Sequence, residues 1–242
     1  MGETVPHQTG DYHFLLRRLH SLTGVVPIGA FLFSHLLTNS TAFLGPEHFD
    51  EHVKWLHSLP WLLAIEIGFI FAPLAFHAGY GLVIALQGRS NVSAYPYMDN
   101  WRYTLQRVTA WITLVFVIVH LLHFRFAHWF GLPNYKSFHP AFFVNTAAGF
   151  TWLMPLWAWM VLYVIGLTAA VYHFCNGLVT FCITWGITIG DRSRRMVLRG
   201  ASGLAAVLMI WGLLSLWALA RGAESRPVAP EAARAALRTE AG

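Results

Sequence analysis

Five stretches of this chain are long enough and apolar enough to cross a lipid bilayer, and that constrains the backbone before anything else does. Residues 22–43, 108–124, 137–190 and 201–220 carry no charge, and residues 61–86 carry one, Glu66. A helix rises about 1.5 Å per residue, so roughly 20 residues traverse a hydrocarbon core about 30 Å thick. Within that core no water can satisfy a backbone N–H or C=O, so each stretch must be helical. Only 11% of the 242 residues are charged, against about 25% in soluble domains. The expectation is an all-α membrane protein: residues 1–220 form a five-helix transmembrane domain, and residues 221–242, mixed Ala, Arg, Glu and Pro, a loose tail.

A cleaved signal peptide does not account for the first stretch. Arg17 and Arg18 lie well inside the chain and four more spans follow. Cys175 and Cys182 are seven residues apart on one expected helix. They cannot form a disulfide there, and two thiols cannot hold an iron–sulfur cluster, so they read as packing residues.

Basic residues set the orientation. Arg17 and Arg18 precede the first span, Arg89, Arg102 and Arg107 follow the second, and Arg192, Arg194, Arg195 and Arg199 follow the fourth. The alternate loops are poorer, with Lys54 in one and Arg125 and Lys136 in the other. By the positive-inside rule the N-terminus is cytoplasmic. No nucleic-acid partner is expected; the surroundings are the lipid bilayer.

One histidine lies deep in each of the first four stretches: His35, His77, His120 and His173. Polar side chains at such depth are rare and usually functional, and neutral imidazole is the commonest metal ligand. Counted along helices of this orientation, His35 and His120 lie ~20 Å from the inner surface, and His77 lies ~13 Å from it. His173 falls in the inner half of an over-long stretch, in which Asn176-Gly177 predicts a bend. Two pairs follow, an outer His35/His120 and an inner His77/His173. A pair of imidazoles above and below one ring is what six-coordinate haem iron needs. Gly24, Gly29, Ala30, Ala78, Gly79, Gly81, Gly166, Ala169 and Ala170 would let a flat macrocycle near the backbone, or serve helix packing alone.

The segments FLLRRLHSLTGVVPIG (14–29), FHAGYG (76–81), YMDNWRYTLQRVT (97–109) and YHFCNGLVTFCITWGIT (172–188) resemble the single-subunit, two-haem cytochrome b anchor of bacterial succinate dehydrogenases and fumarate reductases of the menaquinone-using type. The resemblance covers most of the chain to about residue 195. It implies five transmembrane helices in the bacterial inner membrane and two b haems. Their iron would be held by His35, His77, His120 and His173, in the pairing reached from depth. It also implies a flavoprotein and an iron–sulfur protein on the cytoplasmic face. Electrons would enter at the inner haem, pass to the outer one and reach a membrane quinone. No dicarboxylate chemistry is expected in this chain.

Arg18, His20, Ser21 and Arg107 are the expected partners of the anionic propionates of the inner haem; an ordinary basic helix flank is the plainer reading. His123, one turn beyond His120, competes as outer ligand, and the family resemblance favours His120. His128 and His139 fall near the outer surface and need no special account. Residues 47–57, EHFDEHVKWLH, place Phe49, Val53 and Leu56 at helical spacing, which predicts a short amphipathic surface helix. Glu66 is the one acid within a span. It is read either as part of the proton path to an outer menaquinone site, since quinone reduction consumes protons, or as an interfacial group in contact with water. Two other classes compete. A cytochrome b of a hydrogenase or formate dehydrogenase would share the haem logic without the RRLHS and HFCNG contexts. A transporter would use the histidines as a proton relay and show no haem absorbance.

Overall fold

The computed structural model describes residues 8–127, 143–151 and 153–225. His128, Lys136, His139 and most of the expected tail lie outside them. Among the described residues every regular element is helical: α1 (Gln8–Val25), α2 (Pro27–Ser40), α3 (Pro46–His57), α4 (Leu62–Ile65), α5 (Ala72–Gln87), α6 (Met98–His120), α7 (Phe143–Gly149), α8 (Leu156–Thr184) and α9 (Asp191–Ser225), with short 3₁₀ and π-helical turns between some of them. Five helical runs are long and apolar enough to cross a membrane: Tyr12–Leu44, Leu62–Gln87, Met98–Arg125, Leu156–Thr184 and Asp191–Glu224. The expected five spans are present. In the second, none of the most apolar 18-residue window is buried inside the chain, and Leu63, Ile67 and Phe69 are more than half exposed. Such surface is suited to hydrocarbon, not to water.

Local chemistry explains the interruptions. Pro27 starts α2, where its missing N–H costs no helical bond, and Val26 N–H to Leu22 O (2.9 Å) and Ala30 N–H to Val26 O (3.0 Å) carry the ladder across the junction. In the second span a π-helical turn, Glu66–Phe71, precedes Pro73, and a widened turn makes room for a proline ring against the preceding carbonyls. A second π-helical turn, Leu121–Arg125, ends the third span, closed by Phe126 N–H to Leu121 O at 2.8 Å. Gly45 enters α3 at φ 112° and Gly186 follows α8 at φ 71°, conformations that favour glycine.

Two expectations change. α8 runs unbroken through Asn176-Gly177. The Asn176 amide is occupied by side chains of α6, described below, and so does not compete for its own backbone. The last helix extends through Arg221 to Ser225, with Gly222 and Ala223 buried, so helical structure passes the expected start of the tail.

The chain divides into two compact units. The first comprises residues 1–32, 63–110 and 172–205, the second 33–62, 111–171 and 206–242. In the first unit α1 packs on α5. The second has a core that includes Phe49, Val53, Phe143, Phe150, Trp159 and Tyr163. The predicted amphipathic segment is α3, and its apolar side is buried on α7: Phe49 meets Phe143 edge-on at 5.8 Å. The Asp50 carboxylate accepts the Phe143 backbone N–H at 2.7 Å, capping α7 from another helix. Replacing Asp50 by Ala leaves that N–H unpaired and is expected to cost about 1 kcal/mol, read as a lower thermal midpoint of the detergent-solubilised protein.

Candidate metal centres

In the first unit His77 on α5 and His173 on α8 face each other with ring centroids 6.1 Å apart and planes at 88°. His77 Nδ1–H donates to the backbone carbonyl of His20 at 2.8 Å, which leaves Nε2 as its lone-pair nitrogen. His20 lies flat on His77, centroids 4.0 Å apart and planes at 12°. Its Nδ1 is buried and has no hydrogen-bond partner among the described residues. This stacking requires glycine on both sides. A Cβ at Gly24 would run into the His77 ring, and one at Gly81 would come within 3.1 Å of His20 Cε1.

His173 is held by a polar chain from α6. Its Nδ1 lies 3.2 Å from the Gln106 carbonyl and 3.2 Å from Gln106 Nε2, and that amide also donates to the His173 carbonyl at 3.1 Å. Gln106 Oε1 accepts from Asn176 Nδ2 at 2.7 Å. Asn176 Oδ1 in turn accepts from Arg102 Nη2 (2.7 Å) and Nε (3.1 Å). Beyond it Asp99 lies 2.6 Å from Arg194 and 3.7 Å from Arg102. Metal binding through Nε2 requires the hydrogen on Nδ1, and the Gln106 carbonyl is placed to accept it.

The other expected basic groups belong to the same unit. Arg18 donates to the Thr184 carbonyl at 3.3 Å and lies over Phe14 and Trp185. Ser21 Oγ accepts Trp185 Nε1–H at 3.1 Å. Arg107 covers Tyr103 at 3.5 Å and packs against Gly88. Its Nε, like that of Arg18, is buried without a hydrogen-bond partner among the described residues. Glu66 is half-buried in the π-helical turn of the second span.

In the second unit His35 on α2 and His120 at the end of α6 lie 5.6 Å apart with planes at 85°. Asn39, one turn past His35, donates to His35 Nε2 at 3.2 Å and to its carbonyl at 2.8 Å. His120 Nδ1 lies 3.1 Å from the Tyr163 hydroxyl. His123 is engaged at both nitrogens, by Tyr163 Oη at 2.9 Å and by the Gly149 carbonyl at 2.9 Å. It is stacked on Trp159 at 3.7 Å. His120, not His123, is the imidazole set against His35.

Two imidazoles on opposite sides of one metal, with metal–nitrogen bonds of about 2 Å, have centroids about 6.3 Å apart. Both pairs approach that spacing. Among the described residues no group of three or more His, Cys, Asp and Glu could hold a bare metal ion. Two protein nitrogens per site fit a metal whose other positions are filled by a macrocycle, as in haem. His48 and His52, spaced one turn apart on α3, thus gain no third ligand there.

No family model matches the chain. It is, however, 40% identical over 189 residues, 78% of its own length and 88% of the relative's, to the succinate dehydrogenase cytochrome b558 subunit of Bacillus subtilis (strain 168). The chain belongs to that family. A succinate dehydrogenase cytochrome b subunit is a multi-pass membrane protein within an enzyme complex, in line with the five apolar helical runs.

The groups that orient these histidines carry no motif: the sequence pattern marks neither Gln106 nor Tyr163 and gives Asn176 as a bend. All three are polar side chains inside apolar helices, a signal that marks interhelical hydrogen bonding. Several of the small residues pack against side chains of other helices. Gly24 and Gly81 admit imidazoles, Gly29 admits Phe174, and Gly166 admits Phe116. Gly79 faces no atom within 4 Å. Because Gly24 and His77 compete for one volume, Gly24→Val is expected to abolish one b-type haem, the one lost in His77→Ala, and to spare the other. Haem content of the purified variant, by pyridine haemochrome, checks it.

Proposed function

We propose that this cytochrome b subunit carries two b haems in the inner membrane of a bacterium and links a cytoplasmic iron–sulfur and flavoprotein pair to membrane menaquinone. The observation that carries this reading is the pair of facing histidines within each compact unit, at 6.1 Å and 5.6 Å. His77 and His173 would hold the inner haem, His35 and His120 the outer. When bound, haem b supplies one-electron transfer between the iron–sulfur subunit and the quinone. The protein's own residues do the rest.

The His20 and Gln106 carbonyls and the Tyr163 hydroxyl keep hydrogen on the outward-facing Nδ1 atoms of their histidines. At Nε2 of His35, iron would replace the Asn39 amide. Arg18, His20, Ser21 and Arg107 would neutralise and bind the inner haem's propionates. Arg107 Nε, a buried donor with no partner among the described residues, supports that role, because buried donors seek acceptors. The cytoplasmic partners would dock on the side where the arginine-rich loops collect, with the N-terminus on that side. Glu66 would pass protons to quinone at an outer site.

Purified with its partners, the wild-type complex is expected to hold two b haems per chain in reduced-minus-oxidised spectra. His77→Ala and His35→Ala should each remove a different one. A colourless wild-type preparation would return the histidines to a proton-relay reading. Glu66→Gln is expected to keep both haems and lower succinate–quinone activity about a hundredfold, the lower end of what a positioned acid or base contributes. Unchanged activity would remove Glu66 from the proton path.

A further inference from the structure

Resting on His120 as an iron ligand, we propose that Tyr163 and His123 are positioning residues for that site. Through a one-directional chain of hydrogen bonds they fix which nitrogen of His120 meets the iron and hold the potential of that iron down. The direction follows from the far end. A backbone carbonyl can only accept, so the contact of His123 Nε2 with Gly149 O at 2.9 Å places a hydrogen on Nε2. A neutral imidazole carries one hydrogen, so His123 Nδ1 is an acceptor. The Tyr163 hydroxyl, 2.9 Å away, therefore donates to it. Having given its only hydrogen to His123, the Tyr163 oxygen accepts from His120 Nδ1 at 3.1 Å. That leaves His120 with its lone pair on Nε2, the nitrogen a metal needs.

The surroundings preserve this order. His123 is 2% exposed and lies parallel to Trp159, centroids 3.7 Å apart and planes at 3°, with Phe124 and Phe150 against its ring. These apolar neighbours offer no competing acceptor. His123 belongs to the π-helical turn that follows His120 directly, and such turns recur at functional sites because they re-aim side chains. The chain ends on a carbonyl, which neither takes up nor releases a proton, so it is not a proton wire. Its effect is electronic. An imidazole that gives its N–H to an oxygen is a more basic ligand through its other nitrogen. A more basic ligand favours the ferric state. Polarisation passed along successive hydrogen bonds strengthens each of them, so His123 acts on His120 through Tyr163.

The test is a redox titration of the purified complex with electron paramagnetic resonance of the oxidised haems. Tyr163→Phe removes the acceptor and keeps the ring. It is expected to raise the midpoint of one haem, the one lost in His35→Ala, to shift that haem's g values, and to leave the other haem unmoved. His123→Phe keeps the Tyr163 oxygen and removes its imidazole acceptor. It should move the same haem in the same direction by less. Unchanged midpoints and g values in Tyr163→Phe, or a shift confined to the other haem, overturn the proposal. If Tyr163→Phe does not retain haem, His123→Phe decides, and no shift there overturns it too. A wild-type complex with fewer than two haems fails the functional reading instead, and the two failures are distinguishable.

Discussion

A neutral imidazole offers one nitrogen to a metal only while something holds hydrogen on the other. That constraint organises both units of this chain. His77 gives its Nδ1 hydrogen to the His20 carbonyl, the Gln106 carbonyl is placed for that of His173, and Tyr163 accepts that of His120. Two of these acceptors are carbonyls of helical residues, which have a second lone pair to give after the helix has used the first. His35 is arranged differently. Asn39 donates to its Nε2 within a single helical turn, so iron there would exchange for a local hydrogen bond. The four histidines are equivalent in residue type and are held by unlike partners.

Holding rings in place this closely depends on where side chains are absent. Between helices in a bilayer there is little hydrophobic driving force, and close contact comes from small residues and interhelical hydrogen bonds. Gly24 and Gly81 bring His77 and His20 together. In the second unit Gly166 admits Phe116, which lies 5.8 Å from His120 and 5.3 Å from Tyr163. The glycines thus fix the positions of aromatic rings that in turn bound the ligands.

The five spans and the pairing of the histidines were legible in the sequence because both depend on counting along one chain. Hydropathy needs only a window, and the depth of a histidine needs only its distance from a charged end. What was not legible depends on what one helix presents to another. Asn176 beside Gly177 reads as a helix breaker until Arg102 and Gln106 are seen to occupy its amide. His123 competes with His120 on spacing alone. Only the Gly149 carbonyl and the Tyr163 hydroxyl show that both of its nitrogens are spent. The π-helical turns had no clear sequence signal beyond Pro73 after the first.

The orienting groups are neutral: carbonyls, an amide and a hydroxyl. A carboxylate in their place would make each imidazole a stronger electron donor, but it would have to be buried in hydrocarbon, where an unpaired charge is costly. Asp99 instead meets Arg194 and Arg102 at the start of α6. Arg102 then reaches His173 through the Asn176 and Gln106 amides, the last of which donates to the His173 backbone carbonyl and carries no net charge to the ring. The acceptors of the His77, His173 and His120 hydrogens thus add no net charge beside those rings. On the proposed reading, the basicity of these imidazoles is adjusted in small steps by the length and direction of neutral hydrogen-bond chains. The two units differ in just this respect. One chain ends at an arginine near the end of a span, and the other ends at a carbonyl within a packed core, so imidazole pairs of the same kind sit in unlike fields.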